Sequence, residues 1–303
     1  MKPCAFDYVR IDTLDEALSV LADANIDSKI LAGGQSLMPL LNMRLARPGV
    51  LLDINRIAAL GTVKPVLAED GAELLEVGAL VRQRQLERYT AEEPRTRIIH
   101  TALMNIGHPQ TRNQGTIGGS LAHADPSAEL PLIFLTLGGT VLLQSAQKER
   151  TVTAEDFFRS YLTTALEPNE LLTKSRWRLP SSSTGVAFKE FRRRHGDFAL
   201  MAAACTMDLD EQRSVRKVRL GVGGVADTPL LVSEAQELVG KPWTQAMGRS
   251  IAETVAQRLE FVDDVQASAD YRRQLVTVLL SRILEAAYKD AQAKEALHAT
   301  HQS

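Results

Sequence analysis

Cysteine is scarce in this 303-residue sequence, which contains only Cys4 and Cys205. The two residues lie far apart and belong to no CxxC or Cys/His grouping, so the sequence predicts neither a disulfide framework nor a metal site. An iron-sulfur cluster needs several thiolate ligands close together in space. We therefore expect no cluster on this chain.

The chain also lacks a strong net charge, a targeting segment and a long apolar run. Its formal net charge of -2 provides no overall basic field for nucleic acid or anionic lipid. The one concentrated basic run, Phe191–His195, is interpreted as a solvated or subunit-facing strand edge. The N-terminus has no signal-peptide core and no stretch reaches membrane-spanning length, so we expect a cytoplasmic protein without a membrane span.

Two common nucleotide-binding motifs are missing as well. The GxGxxG pattern of dinucleotide-binding Rossmann folds does not occur, and the glycine-rich "GVGGVA" at residues 221–226 does not match it. No glycine-rich stretch is followed by the lysine that a Walker P-loop requires. Any nucleotide must therefore be held by a different kind of loop.

What the sequence does contain is the composition of a soluble globular protein, 45% hydrophobic and 24% charged, with length enough for two domains. A capping-box pattern, Thr13 with Glu16, opens a predicted helix. The stretches "SKILA", "LMPLLNMRL" and "VLLDI" then predict a β-α-β arrangement. We expect a hairpin at Asp70-Gly71 and a buried helix in "ELPLIFLTLGG" that ends at Gly138.

A stretch rich in proline, serine and glycine, Leu179–Gly185, is the predicted linker between two domains. Beyond it, "VAFKEFRRR", "ALMAAACTMDLD" and "RKVRLGVGGVA" predict an antiparallel sheet, and the remaining third predicts helices. The predicted divisions are residues 1–180, residues 185–290 and a C-terminal tail at 291–303.

Two glycine pairs, in "AGGQS" and "TIGGS", interrupt apolar sequence. A diphosphate needs several convergent donors, and backbone N–H groups serve only where no Cβ keeps the ligand away. Gly33-Gly34 and Gly118-Gly119 meet that need, and serine and threonine hydroxyls stand beside both pairs. Each pair taken alone also fits an ordinary turn.

The stretches "ILAGGQSLMPLLNMRLARPGVLLDINRI" and "IGHPQTRNQGTIGGSLAHADPSAELP" closely resemble the FAD-binding medium subunit of bacterial molybdenum hydroxylases, of the xanthine dehydrogenase and carbon monoxide dehydrogenase family. The resemblance covers nearly the whole chain. It implies an α+β fold, with a two-lobed FAD-binding domain of the vanillyl-alcohol-oxidase (PCMH) type at 1–180. A smaller domain with a three-stranded antiparallel sheet and helices follows at 185–290.

The same resemblance implies a set of FAD-binding residues. The first loop would comprise Leu31, Ala32, Gly33, Gly34, Gln35, Ser36, Leu37 and Met38, and the second Thr116, Ile117, Gly118, Gly119 and Ser120. Further positions implied beside the cofactor are Ile106, one or both of Asp125 and Glu129, and, near the isoalloxazine ring, Leu172 and Lys189.

Other interpretations of these residues stay open. Asp125 equally fits a cap of the helix entered through Pro126. Lys189 equally fits an exposed strand residue. His108 and His123 invite a role in acid-base catalysis or covalent flavin attachment, but no Ser/His/Asp grouping accompanies them, and we interpret both as loop-shaping residues.

The resemblance also implies a division of labour among three chains, assembled as a dimer of heterotrimers by analogy with the family. A large molybdopterin subunit hydroxylates the substrate, a small subunit passes electrons through two [2Fe-2S] clusters, and the FAD of this chain delivers them to an external acceptor. No catalytic side chain is then required. The alternatives are a self-sufficient FAD-dependent oxidase or reductase on the same scaffold, and a scaffolding subunit that has lost its cofactor.

Overall fold

The computed structural model describes residues 2–302, and the side chains of residues 2–296. A three-stranded parallel sheet in the order β1-β3-β2 forms the first lobe. Its elements are β1 (Asp7–Arg10), α1 (Leu14–Leu21), β2 (Ser28–Leu31), α2 (Leu37–Asn42) and β3 (Val50–Asp53). The predicted β-α-β arrangement is confirmed. Helix α1 begins where the sequence predicts, because the Thr13 hydroxyl accepts a hydrogen bond from the Glu16 amide at 3.2 Å.

The second lobe is built on a five-stranded antiparallel sheet in the order β4-β5-β10-β6-β7. The strands are β4 (Val63–Leu67), β5 (Glu73–Gly78), β6 (Thr140–Gln144), β7 (Glu149–Thr153) and β10 (Leu171–Arg178), with a small hairpin of β8 (Phe158–Ser160) and β9 (Thr163–Thr164). The helices are α3 (Gln83–Ala91), α4 (Arg97–Asn105), α5 (Pro109–Gln114), α6 (Ile117–His123), α7 (Glu129–Leu137) and α8 (Ala154–Phe157), and short 3-10 turns lie at Ala58–Gly61 and Pro94–Thr96.

Helix α7 is the centre of this lobe, and every one of its residues is buried. It ends as the sequence predicts, at Gly138, whose φ of 72° lies in the left-handed region that favours glycine. The predicted β4-β5 hairpin is also present. Only Gly71 of the Asp70-Gly71 pair has a positive φ, 79°, because the connection is a longer loop and not a two-residue turn.

The C-terminal domain contains a four-stranded antiparallel sheet in the order β11-β12-β13-β14. Its elements are β11 (Gly185–Phe191), β12 (Met201–Leu209), β13 (Val215–Gly223), β14 (Leu230–Leu231), a 3-10 turn at Ser233–Leu238, α9 (Gln245–Arg258) and α10 (Ala269–Gln302). The three predicted strands are confirmed. The expected three-stranded sheet is completed by β14, a two-residue strand too short to leave an alternating pattern in the sequence.

This sheet lies between two layers of helices. On β12, Ala202 and Ala204 belong to the core of the second lobe, whereas Ala203 and Cys205 belong to the core shared with α9 and α10. The domains are therefore joined by an apolar face as well as by residues 179–184. Helix α10 continues into the predicted tail at 291–303, where the side chains beyond residue 296 lie outside the described residues.

Candidate functional site

The first glycine loop connects β2 to α2 at the carboxyl edge of the parallel sheet. Gly34 has a φ of 70°, in the left-handed region, and a Cβ at this position would lie 3.2 Å from the Leu31 side chain and 3.3 Å from that of Met38. Ser36 stands at the start of α2, and its hydroxyl makes no capping hydrogen bond. The loop is half-buried except at Gln35 and Met38, which are exposed.

A run of unpaired amides is the main chemical feature of this loop. Among the described residues, no protein acceptor takes a hydrogen bond from the backbone N–H groups of residues 33–37. The loop carbonyls are used locally, since Gly34 and Ser36 accept from the amides of Met38 and Leu40. Consecutive free N–H groups at the start of a helix attract an anionic group such as a diphosphate.

The second loop has a different structure from the one expected. Thr116 caps α6 by accepting from the Gly119 amide at 3.1 Å, and the amides of Ile117 and Gly118 donate to the Val81 and Ala79 carbonyls, each at 2.9 Å. The amides of the second glycine pair are thus used within the protein. In this structure they are therefore not free donors for a ligand, in contrast to the amides of the first loop.

Gly118 is a packing glycine. It is buried, and a Cβ at this position would lie 2.5 Å from the Ala79 Cβ. Its neighbours Gly119 and Ser120 are half-buried. The accessible part of the second loop is therefore Gly119 and Ser120, whereas the first loop presents unpaired amides.

The structure brings the two loops together, as the sequence predicts. A Cβ at Gly33 would lie 2.6 Å from the Gln114 carbonyl oxygen and 2.9 Å from the Thr116 nitrogen. A Cβ at Gly119 would lie 4.0 Å from that of Ala32. The glycines thus permit the loops to touch across the junction of the two lobes.

Other predicted positions lie around this junction or apart from it. Ile106 is half-buried at the end of α4, and its carbonyl accepts from Arg112 at 2.8 Å. Leu172 is 3% exposed and lies in the core of the second lobe. Lys189 is exposed, and the alternation along β11 places it with Ala187 on the side facing α10.

The two predicted acids differ in environment. Asp125 is half-buried, and its carboxylate accepts from the Ser127 amide at 2.8 Å, which closes a local turn. It does not cap α7, because the N-cap residue is Ala128. Glu129 is buried in the first turn of α7, and burial, reinforced by the charge of Glu190, raises the pKa of its carboxyl to about 8.

Glu190 is a buried acid that no sequence motif indicated. It lies on the side of β11 opposite to Lys189, with one carboxylate oxygen paired to Arg192 and the other, Oε2, buried without a partner among the described residues. Burial raises the pKa of this carboxyl as well. Arg192 also donates to the Asn105 carbonyl at 2.8 Å, which ties β11 to the end of α4.

We expect the buried acid Glu129 to make stability depend on pH. The folded protein keeps a proton on this carboxyl up to about pH 8, whereas the unfolded chain loses it near the ordinary pKa of 4.5. Stability is therefore lost as the pH rises through this window. The wild type loses stability in this window and Glu129→Gln does not. The difference in free energy of unfolding between variant and wild type should therefore grow by up to about 1.4 kcal/mol for each unit by which the pH rises.

Urea unfolding at a series of pH values between about 5 and 8 measures this difference. The charged groups acting on Glu129 are Glu190, Arg192 and Asp125. Taking the difference between variant and wild type cancels the other groups that titrate in the same window. Glu253→Gln, which removes an exposed acid on α9, is the control for the substitution itself. A flat difference for Glu129→Gln would contradict a proton held there.

The two histidines near the motifs have no catalytic arrangement. His108 is exposed and stacks on His195 at 5.5 Å between ring centroids, so it shapes its loop by ring contact. His123 is half-buried, and burial lowers the pKa of its imidazole. No group of three or more His, Cys, Asp or Glu side chains among the described residues is arranged to hold a metal ion. Within the same part of the chain, no helix combines the length and apolarity needed to cross a membrane.

Family models match both parts of this chain, including the segment with the two glycine loops. Residues 4–180 match the FAD binding domain in molybdopterin dehydrogenase, and residues 186–287 match the CO dehydrogenase flavoprotein C-terminal domain. The chain belongs to the FAD-binding medium subunits of molybdenum hydroxylases. It is thus a subunit of an FAD-dependent oxidoreductase, and the family resemblance expected from its sequence is confirmed.

Individual relatives support this family along the full length of the medium subunit. The 6-hydroxypseudooxynicotine dehydrogenase complex subunit alpha of Paenarthrobacter nicotinovorans is 38% identical, over 98% of this chain and 99% of its own length. Caffeine dehydrogenase subunit beta of a Pseudomonas strain is 36% identical, over 94% of this chain and 95% of its own. The solved quinoline 2-oxidoreductase of Pseudomonas putida 86 includes a chain with a TM-score of 0.89 and 33% identity, covering 96% of this medium subunit and 99% of that chain.

Proposed function

We propose that this medium subunit carries FAD between its two glycine loops and acts as an electron-transfer subunit. It would accept electrons from an iron-sulfur partner and pass them to an external acceptor. The observation that carries the proposal is the run of unpaired amides at residues 33–37, located where the first loop touches the second. The bound flavin supplies the redox chemistry, and the protein supplies position and electrostatics.

The residues fit a dinucleotide by the kinds of group they present. The amides from Gly33 to Leu37 would bind the pyrophosphate, with the Ser36 and Ser120 hydroxyls beside them. Hydrogen bonds to a charged group are worth about 1.5 to 3 kcal/mol each, so a few of them bind a diphosphate tightly. We propose the remaining positions of both loops, 31–38 and 116–120, as the walls of the cleft.

The other proposed contacts follow from location. Ile106 and Asp125 are half-buried and have a surface to offer to a cofactor. Glu129 is buried, so we propose that it supports the cofactor-binding surface from inside the protein. Leu172 and Lys189 would lie near the isoalloxazine ring, as the family resemblance implies, Leu172 from the core of the second lobe and Lys189 from an exposed position on β11.

The proposed partners are a large molybdopterin subunit and a small iron-sulfur subunit, assembled with this chain as a heterotrimer that dimerises in the cytoplasm. The names of the relatives support a complex, since they describe a subunit alpha, a subunit beta and medium chains. One solved relative is a carbon monoxide dehydrogenase that lacks the Mo-pyranopterin moiety of its cofactor. The composition of this chain, with two isolated cysteines, also favours clusters on a separate subunit.

Cofactor analysis tests the binding proposal. The purified chain is expected to contain one FAD per polypeptide, and acid precipitation should release it into the supernatant, because the proposed binding rests on hydrogen bonds to the pyrophosphate and not on a covalent bond. Chromatography identifies the released flavin, and absorbance of the pellet detects any that remains. FMN in the supernatant, or flavin retained by the denatured protein, would contradict the proposal.

A further inference from the structure

A chain of side-chain hydrogen bonds connects the two glycine loops through backbone carbonyls at Ala32 and Gln114. Asn55, just after β3, donates through Nδ2 to the Ala32 carbonyl at 2.9 Å. Its Oδ1 accepts from Arg82 at 2.7 Å, and Arg82 donates in turn to the Gln114 carbonyl. The bridge thus runs from the first loop to the second through two side chains.

Each end of the bridge holds a peptide group directly beside a close contact between the loops. Ala32 precedes Gly33, and Gln114 is the residue whose carbonyl oxygen a Cβ at Gly33 would meet. The backbone of Arg82 also pairs with Thr116, the residue that caps α6. Arg82 is therefore attached to the second loop through both its side chain and its main chain.

The bond from Asn55 also sets the direction of a proposed donor. The Ala32–Gly33 peptide is trans, so its carbonyl oxygen and its N–H point in opposite directions. When Asn55 holds the carbonyl, the Gly33 N–H points away from Asn55. Asp53 in turn fixes Asn55, because its Oδ1 accepts from the Asn55 side chain at 2.6 Å and from its backbone amide at 2.9 Å.

We propose that Asn55 and Arg82 are positioning residues, a loop clamp that sets both cofactor loops in one geometry before FAD binds. This proposal rests on the proposed function. Neither residue is expected to touch the diphosphate. Their effect is preorganisation, because a loop that is already ordered loses less conformational entropy when the ligand binds.

Three clamp variants and two controls test the proposal in the full-length chain stripped of flavin. Asn55→Ala and Arg82→Ala break the bridge at either end. Asn55→Asp keeps the volume and the acceptor for Arg82 but loses the donor to Ala32. The controls are Asn25→Ala, which removes an exposed local hydrogen bond to Asp23, and Arg56→Ala, which removes an exposed pair with Asp12.

The first readout is the dissociation constant for FAD, followed by quenching of flavin fluorescence. Each clamp variant should bind FAD at least about tenfold more weakly than wild type, the change expected for about 1.4 kcal/mol, while the controls stay within about twofold. A role in stability alone would lower the melting temperature of the flavin-free protein in proportion to this loss. The clamp predicts a large loss of affinity with a small change in melting temperature.

The second readout is hydrogen exchange of paired amides in the flavin-free protein. Asn55→Ala should speed exchange at Met38 and Leu40, near the first loop, and also at Ile117 and Gly118 across the bridge. Faster exchange at Met38 and Leu40 without faster exchange at the amides of the second loop would contradict a clamp. If Asn55→Ala does not fold, Asn55→Asp decides the matter by its FAD affinity.

Two negative results have different meanings. If wild type binds FAD and the clamp variants bind it equally well, the clamp is overturned and the proposed function stands. If the flavin-free wild type takes up no FAD, the proposed function falls and the clamp falls with it.

Discussion

Replacing Gly33 by alanine is expected to weaken FAD binding by about a hundredfold, because the new methyl group occupies the contact between the loops. The added Cβ would lie 2.6 Å from the Gln114 carbonyl oxygen and 2.9 Å from the Thr116 nitrogen. These are backbone atoms that cannot rotate away, so the loops must separate. Overpacking of this kind costs about 1 to 3 kcal/mol, and the separation also displaces the unpaired amides that follow Gly33.

A matched control isolates the contact from the general effect of removing a glycine. Gly61 has no atom within 4 Å of its Cβ position and no positive φ, so Gly61→Ala meets neither a clash nor backbone strain. This variant should bind FAD like wild type. Isothermal titration of both flavin-free variants with FAD measures the difference. Equal affinity in Gly33→Ala and Gly61→Ala would show that loop contact at Gly33 does not matter for binding.

The first loop could be predicted well because its geometry is local. A short strand, a glycine pair and a helical turn follow one another in the sequence, and a parallel β-α-β unit brings them to the carboxyl edge of the sheet. The unpaired amides follow from that local path.

The second loop could be located but not understood from sequence. The role of Gly118 depends on Ala79, which belongs to the segment after β5 and lies against it only in the folded lobe. Glycine can be required because a neighbouring residue packs against it or because a ligand approaches it, and the sequence is the same in both cases. Only the tertiary contact distinguishes them.

The sequence indicates one of the two clamp residues by its position after a strand, but it does not identify the pair. Asn55 follows β3 as Ala32 follows β2, and the carboxyl ends of neighbouring parallel strands meet at one edge. A polar residue at such an edge is a candidate for contact with the next loop. The partner, Arg82, carries no comparable signal, because its position depends on how the second lobe packs on the first.

The face of a strand is equally hard to predict from a motif. Lys189 and Glu190 are adjacent on β11, and the pleat directs them to opposite sides of the sheet. The buried acid is Glu190, and the predicted lysine is exposed. Sequence similarity carried over to one position cannot decide the side, whereas burial in the folded structure does.

The second large effect is expected for reduction of the flavin. The isolated chain should show no reduction by an organic substrate, and the complete complex should show full reduction. The proposed function has the flavin of this chain receive its electrons from an iron-sulfur partner, because Cys4 is half-buried, Cys205 is buried, and the two lie too far apart in the sequence to form a cluster-binding motif. Under this proposal an organic substrate does not reduce the flavin of the isolated chain. A self-sufficient oxidase or reductase on this scaffold predicts the opposite, direct reduction of the isolated chain.

Anaerobic absorbance spectroscopy of the isolated, FAD-loaded chain tests this central claim most directly. Dithionite should bleach the flavin band, which shows that the cofactor is competent. Quinoline, caffeine and nicotine, added separately, should leave the band unchanged in the isolated chain. The substrate of the complex should bleach it only after the molybdopterin and iron-sulfur subunits are added. Rapid bleaching of the isolated chain by any of these compounds would contradict the electron-transfer account and favour a self-sufficient flavoenzyme.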